Sequence, residues 1–275
     1  MKKNKSILLS APYIAWMVAF TLIPLCVVAY YALTDPNTGE FTWGNIVELG
    51  TYLPVFGESI GYSVISALIC LVIGYPVAYY IAHRGEVAQK MLYMLVMLPM
   101  CMSFLLRTLA WVGLLQDTGI INNFLRAIGI DSGLPLIRTP GAVVLGMVYN
   151  YLPYMILPLY AIIVKIDGRL IEAAEDLGCT PVQTFIKVVL PLSTPGIISG
   201  ITMVFVPAVS TFYISQKLGG ADTVLIGDII ERMFKQGNNA NLGAALSLLL
   251  MVLVFVCTGI MNRFAGADGE DVVIV

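Results

Sequence analysis

The sequence predicts an all-α polytopic membrane protein. Six transmembrane helices form a single domain over residues 1–275, with both termini in the cytoplasm. Three observations carry this. Only 12% of the 275 residues are charged, 59% are hydrophobic and the mean hydropathy is +0.88, whereas a soluble domain carries about 25% charged residues. The apolar residues collect in uncharged runs long enough to cross a bilayer, about 20 residues at about 1.5 Å of rise each. The basic residues collect in loops on one side of those runs. With 15 Lys and Arg against 17 Asp and Glu, the net charge is −2. This excludes an ordinary soluble enzyme, a disordered chain and a basic nucleic-acid binder.

The first span is predicted at about 11–33. It follows Lys2, Lys3 and Lys5 and is longer than the about 7–15 apolar residues of a cleavable leader, so it reads as retained. The second is placed at 59–82 and the third at 91–115, interrupted only by Arg107. The fourth (140–164) and fifth (194–216) open on Thr139-Pro140 and Thr194-Pro195, a capping hydroxyl before a proline at the first helical position. The sixth is placed at 242–262. Nine basic residues lie on one side: Lys2, Lys3, Lys5, Arg84, Lys90, Lys165, Arg169, Lys187 and Arg263. Five lie on the other: Arg126, Arg138, Lys217, Arg232 and Lys235. The richer side is cytoplasmic.

Three outer segments remain. Residues 35–58 carry acids and no base, and 116–138 hold Gly and Asp turn signals. In 222–235, Ile226, Ile230 and Met233 recur at helical spacing beside Asp228, Glu231, Arg232 and Lys235, which predicts an amphipathic helix at the interface. The cysteines Cys26, Cys70, Cys101, Cys179 and Cys257 form no CxxC pair, and His83 is the only histidine, so no metal site is predicted.

The loop at 165–193 is the most informative segment. Asp167 can cap a helix from Gly168, and Gly178 stands where that helix stops. Leu170, Ala174 and Leu177 share one face, with Glu172, Glu175 and Asp176 largely elsewhere. Thr180, Pro181 and Gln183 then spell a capping box with proline at the first helical position, and Pro191 is expected to stop the second helix. A structured hairpin with alanines on one face suits close packing in a partner's groove, and the acidic side chains beside it can pair with basic residues at the groove rim.

Glu172-Ala173-Ala174, then Gly178, then Leu190-Pro191, resembles the EAA loop of type I ABC-importer membrane subunits. One departure is Val188, where that family usually has isoleucine. The resemblance implies the type I permease fold and a coupling role for 165–193. Glu172 would contact an ATP-binding subunit, Ala173 and Ala174 would permit close approach, Gly178 would make the turn, and Leu190-Pro191 would end the second arm. It further implies a homologous second permease subunit, two ATP-binding subunits carrying ATP and magnesium, an extracytoplasmic solute-binding protein and a lipid bilayer as partners. Leu71-Val-Ile-Gly-Tyr-Pro-Val-Ala-Tyr79, Leu106-Arg-Thr-Leu-Ala-Trp111 and Asp176–Phe185 are similar to stretches in polyamine-type permeases. That implies spermidine or putrescine as substrate. Relatives with other substrates share these patches, so another small solute, an anion included, stays open.

A polyamine calls for oxygen ligands at its ammonium ends and aromatic faces along its methylenes. The outer segments hold nine acids against five bases. The fourth and fifth spans carry Tyr149, Asn150, Tyr154 and Tyr213 beside Pro153, Pro158 and Pro207. Proline frees backbone carbonyls that inside a bilayer must be buried or face a cavity. These four residues are the candidate substrate path, weighed against packing and interface-belt roles. Arg107 reads as paired with an outer carboxylate such as Asp117; an anionic substrate would make it the prime ligand.

No G-x-x-x-x-G-K-[ST] phosphate loop occurs, so ATP would be hydrolysed by another chain. No H-E-x-x-H or G-x-S-x-G occurs and no carboxylate pair lies inside a span, so no catalytic residue is assigned. The rival readings are an ion-coupled secondary transporter, which needs intramembrane carboxylates, and an intramembrane enzyme.

Overall fold

The computed structural model describes residues 12–13, 16–35, 38–129, 136–220, 223–235 and 239–265. Lys2, Lys3, Lys5, Asp131, Asp222 and both termini lie outside the described residues, as does the start of the first predicted span. Apart from an isolated antiparallel bridge between Thr34 and Phe41, the described elements are helical. In chain order they are α1 (Ile23–Ala32, continuing a π turn at Val18–Leu22), α2 (Gly44–Glu48), α3 (Leu53–Ala82), α4 (Glu86–Met97), α5 (Phe104–Leu115), α6 (Ile120–Ala127) and α7 (Pro140–Ile163). There follow α8 (Gly168–Asp176), α9 (Pro181–Thr184), α10 (Leu190–Leu192), α11 (Thr194–Val209), α12 (Tyr213–Leu218), α13 (Ile226–Lys235) and α14 (Ala240–Ala265).

Among the described residues, Gly44–Ala82, Phe104–Ala127, Pro140–Ile163 and Ala240–Arg263 are long and apolar enough to cross a membrane. Pro181–Leu192 with Thr194–Val209, bent by 64°, adds a fifth if taken as one span; Val18–Ala32 is apolar but shorter. The structure departs from the predicted spans in three places. The second begins earlier, because a 3-10 turn at Leu49–Tyr52 carries α2 into α3. The third is broken between α4 and α5. Pro99 sits in the 3-10 turn Leu98–Cys101, and Met102 and Ser103 are extended, with ψ of 148° and 130°. The fifth ends at Val209, and Ser210–Phe212 separate α11 from α12. The Ser210 hydroxyl there turns back on the Val206 and Pro207 carbonyls.

The chain divides into two compact units, Met1–Pro54 with Ile229–Leu253, and Val55–Asp228 with Val254–Val275. In the first, Ala32 packs with Ala244 and Ala245, flanked by Val28, Leu49 and Leu248. The open carbonyls at the end of α1 find side-chain donors. Asn45 Nδ2 donates to the Ala32 and Thr34 carbonyls at 3.1 and 3.0 Å, and Asn241 Nδ2 to the Thr34 carbonyl at 2.6 Å.

In the second unit α7 is the central element. Thr139 caps it by accepting from the Ala142 N–H, as its sequence predicts. Val143, Met147, Met155 and Leu159 are fully buried together with Cys70, Val204, Ala208, Ile214 and Leu218. Small residues set the approach, as between membrane helices generally. A Cβ on Gly146 would lie 2.5 Å from Leu218 Cδ1, and one on Gly200 2.6 Å from Met155 Sδ.

The helix α13 forms as predicted, but Asp228 does not lie on a solvated face. Ile226, Gly227 and Asp228 are buried. The Asp228 carboxylate accepts from the Leu225 N–H at 3.0 Å, and Ser59 Oγ accepts from the Ile226 N–H at 2.9 Å. A Cβ on Gly227 would meet the Thr211 carbonyl oxygen at 2.5 Å and the Ser210 carbonyl oxygen at 2.9 Å. Backbone atoms cannot rotate away, so Gly227→Ala is expected to cost about 1–3 kcal/mol. A thermal unfolding midpoint equal to wild type in detergent would contradict this.

Candidate functional site

The 165–193 segment is built from local signals. Asp167 accepts from the Arg169 N–H at 3.0 Å and starts α8. Gly178 ends it with φ of +84°, a conformation that glycine adopts without a Cβ penalty. The Cys179 N–H donates to the Ala174 carbonyl and the Gly178 N–H to the Glu175 carbonyl, the paired bonds of a Schellman end. The Thr180–Gln183 capping box is complete, with both reciprocal bonds present.

The predicted coupling residues divide by exposure. Glu172 and Ala173 are exposed, while Ala174 is buried within the chain. Ala174 therefore serves internal packing, and the surface left for a partner is Glu172 and Ala173 with Leu170 and Leu177. Leu177 is 86% exposed. Beside this surface, Glu172 lines a cavity of about 360 Å³ together with His83, Ile163, Ile171 and Val189.

Pro191 does not stop the second arm. Phe185–Val189 form a π turn, closed by the Leu190 N–H donating to the Phe185 carbonyl, and the helix resumes over Leu190–Leu192. The π turn shifts the hydrogen-bond register ahead of Pro191, and the helix runs on through it to Leu192. The chain bends instead at Ser193, and Thr194 does not cap α11. Its hydroxyl donates back to the Leu190 carbonyl at 3.3 Å.

The four path candidates are not gathered at one point. Asn150 is fully buried, and its Nδ2 donates to the Gly146 carbonyl at 2.9 Å. The Tyr154 ring lies 6.3 Å from that of Tyr151, whose hydroxyl donates to the Pro207 carbonyl. Tyr149 packs edge-on against Trp111 at 5.4 Å, and Tyr213 lies tilted against Phe104 at 6.3 Å. Phe104 and Trp111 are seven residues apart on one face of α5, so that helix bridges two of the candidates. The sequence signal was the 3.6-residue period of Phe104, Arg107, Thr108 and Trp111.

Arg107 lies on that face and is 6% exposed. Its Nε and Nη1 have no hydrogen-bond partner among the described residues, and no ion pair with Asp117 forms. The expected surface pairing is replaced by a buried guanidinium. Helix α5 turns this residue into the bundle with Thr108.

Residues 71–266 match the family of binding-protein-dependent transport system inner membrane components. The chain belongs to this family. It is the membrane-spanning permease subunit of an ATP-driven ABC importer, a multi-pass protein of the bacterial plasma membrane. The permease is 36% identical over 249 residues to the spermidine/putrescine transport system permease protein PotB of Escherichia coli K12, covering 88% of this chain and 90% of that one. Its identity to the protein of that name from Haemophilus influenzae is 39% over 248 residues, covering 87% of each. Among solved structures, the permease matches a chain of a bacterial alginate ABC transporter in complex with its alginate-bound periplasmic protein. The TM-score is 0.78 at 20% identity, over 96% of each chain. A chain of the MetNI methionine ABC transporter matches with a TM-score of 0.60 at 21% identity, over 81% of this chain and 98% of that one. At these identities the structural likeness bears on the fold.

Proposed function

We propose that this permease imports polyamines, spermidine and putrescine among them, and that its 165–193 loop couples translocation to ATP hydrolysis on partner chains. The observation that carries the substrate class is the 36–39% identity to spermidine/putrescine permeases over nearly their whole length. The working assembly pairs this chain with a homologous second permease, two ATP-binding subunits that hold ATP and magnesium, and an extracytoplasmic polyamine-binding protein. This chain binds no nucleotide and carries no catalytic residue. The coupling surface is Glu172 and Ala173, presented by a helix that Ala174 packs inward and Gly178 ends. Leu190 and Pro191 belong to the arm that returns to the membrane. Tyr149, Tyr154 and Tyr213 supply aromatic faces for the methylene chain of the cation, and Asn150 holds the wall behind them.

The complex purified with its binding protein is expected to show ATP hydrolysis stimulated by spermidine or putrescine and unaffected by unrelated solutes. Stimulation by an anionic solute alone would make Arg107 the ligand and overturn the polyamine reading. Uptake driven by a proton or sodium gradient without an ATPase would overturn the importer mechanism.

A further inference from the structure

We infer that Tyr75 is a positioning residue for coupling: it latches the bend at Ser193 through which the 165–193 loop moves the membrane helices. The inference rests on the coupling role proposed above. Tyr75 lies on α3, far in sequence from the loop, and is buried. Its hydroxyl is 2.7 Å from Ser193 Oγ. Ser193 Oγ in turn donates to the Leu190 carbonyl at 2.9 Å, so the tyrosine hydroxyl is the donor to the serine. The relay runs from α3 through the bend residue to the last carbonyls of the arm.

The surroundings of the bend show why one bond matters there. Both neighbours of the arm are seated directly on α7. A Cβ on Gly74, the residue before Tyr75, would lie 3.1 Å from Met155 Cγ. A Cβ on Gly196, three residues past the bend, would lie 3.1 Å from Ile162 and 3.2 Å from the Pro158 carbonyl oxygen. On the arm between Pro181 and Leu192, Thr184 and Val189 are buried while Ile186, Lys187 and Leu192 are exposed. The arm is held to α3 at two levels. The Phe185 ring is packed edge-on by both Tyr75 (5.5 Å) and Tyr79 (5.7 Å), and the Tyr75 hydroxyl holds Ser193.

The bend itself has a backbone cause. Pro195 has no N–H for the Pro191 carbonyl, so the helical ladder is interrupted beside Ser193. Ser193 sits at φ −90° and ψ −2°, in the sparsely populated bridge region. The π turn at Phe185–Val189 adds a second irregular stretch, of the kind found where helices move. An arm with two irregular points can re-orient between its neighbours, and the Tyr75 hydroxyl ties its end to α3.

The test uses the complete importer in proteoliposomes with its binding protein and spermidine as the probe. Tyr75→Phe keeps the ring against Phe185 and removes only the hydroxyl; Ser193→Ala removes the acceptor. Each is expected to assemble as wild type by size exclusion and to lower the ratio of stimulated to basal ATP hydrolysis by about two- to tenfold, the worth of one hydrogen bond. The double variant is expected to be no worse than either single one. Additive losses in the double variant, or an unchanged ratio in both singles, would overturn the latch while leaving the coupling loop in place. A Tyr75→Phe chain that fails to assemble would assign the bond to folding and also overturn it. A wild-type complex without stimulated hydrolysis would overturn the functional reading itself.

Discussion

Gly178→Val and Glu172→Lys are expected to leave the permease in the membrane with its partners and to abolish spermidine-stimulated ATP hydrolysis. The two act on different properties of the same surface. At Gly178 a Cβ meets nothing within 4 Å, so the effect is purely conformational. The backbone stands at φ +84°, where a side chain costs about 1–2 kcal/mol and a β-branched one is worse placed still. To escape, the chain must undo the Schellman end and re-aim the second arm relative to Glu172. Glu172→Lys leaves the backbone alone. It reverses the sign of an exposed charge at the proposed contact, and like charges across an interface cost affinity and partner choice. Stimulated hydrolysis at the wild-type level in both variants, measured on the intact complex, would remove the coupling role from this loop.

Arg107→Met is expected to raise the thermal midpoint of the complex while changing transport. Two guanidinium nitrogens of Arg107 have no partner among the described residues, and the side chain is almost fully buried. A charge near the bilayer centre costs at least about 2.5–3.5 kcal/mol on insertion scales, and a buried unpaired one is costly at any depth. Replacing buried charge by an apolar side chain of similar length often stabilises. The structure thus keeps a cation at a cost in stability. A lower midpoint for Arg107→Met would mean that a counter-group compensates the charge.

Local signals were fully readable in the sequence. The Thr139, Asp167 and Thr180 caps, the Gln183 reciprocal bond and the Gly178 stop each depend on residues within a few positions. Tertiary outcomes were not. Thr194 looked like a cap but bonds back to Leu190, because the chain bends one residue earlier. Pro191 looked like a terminator, yet the π turn before it changes the hydrogen-bond register. Asp228 read as solvated because its helix is amphipathic, and only the fold shows its first turn buried beside Ser59. Asn150 read as a path residue because it is polar in a span; it is fully buried, its Nδ2 bonded to the Gly146 carbonyl and its Oδ1 without a partner among the described residues. The proposed coupling surface was legible as a motif, whereas Tyr75, bonded to Ser193, is separated from it by more than a hundred residues and carries no local mark.

The local completeness of the 165–193 segment has a consequence for how the importer is put together. Helices α8 and α9 are each opened by their own cap, and a glycine already supplies the turn between them, so much of the segment's ordering entropy is spent during its own folding. If the loop docks on an ATP-binding subunit as proposed, that docking is expected to be a rigid event. Its heat-capacity change reports only the area covered, with no added component from coupled folding.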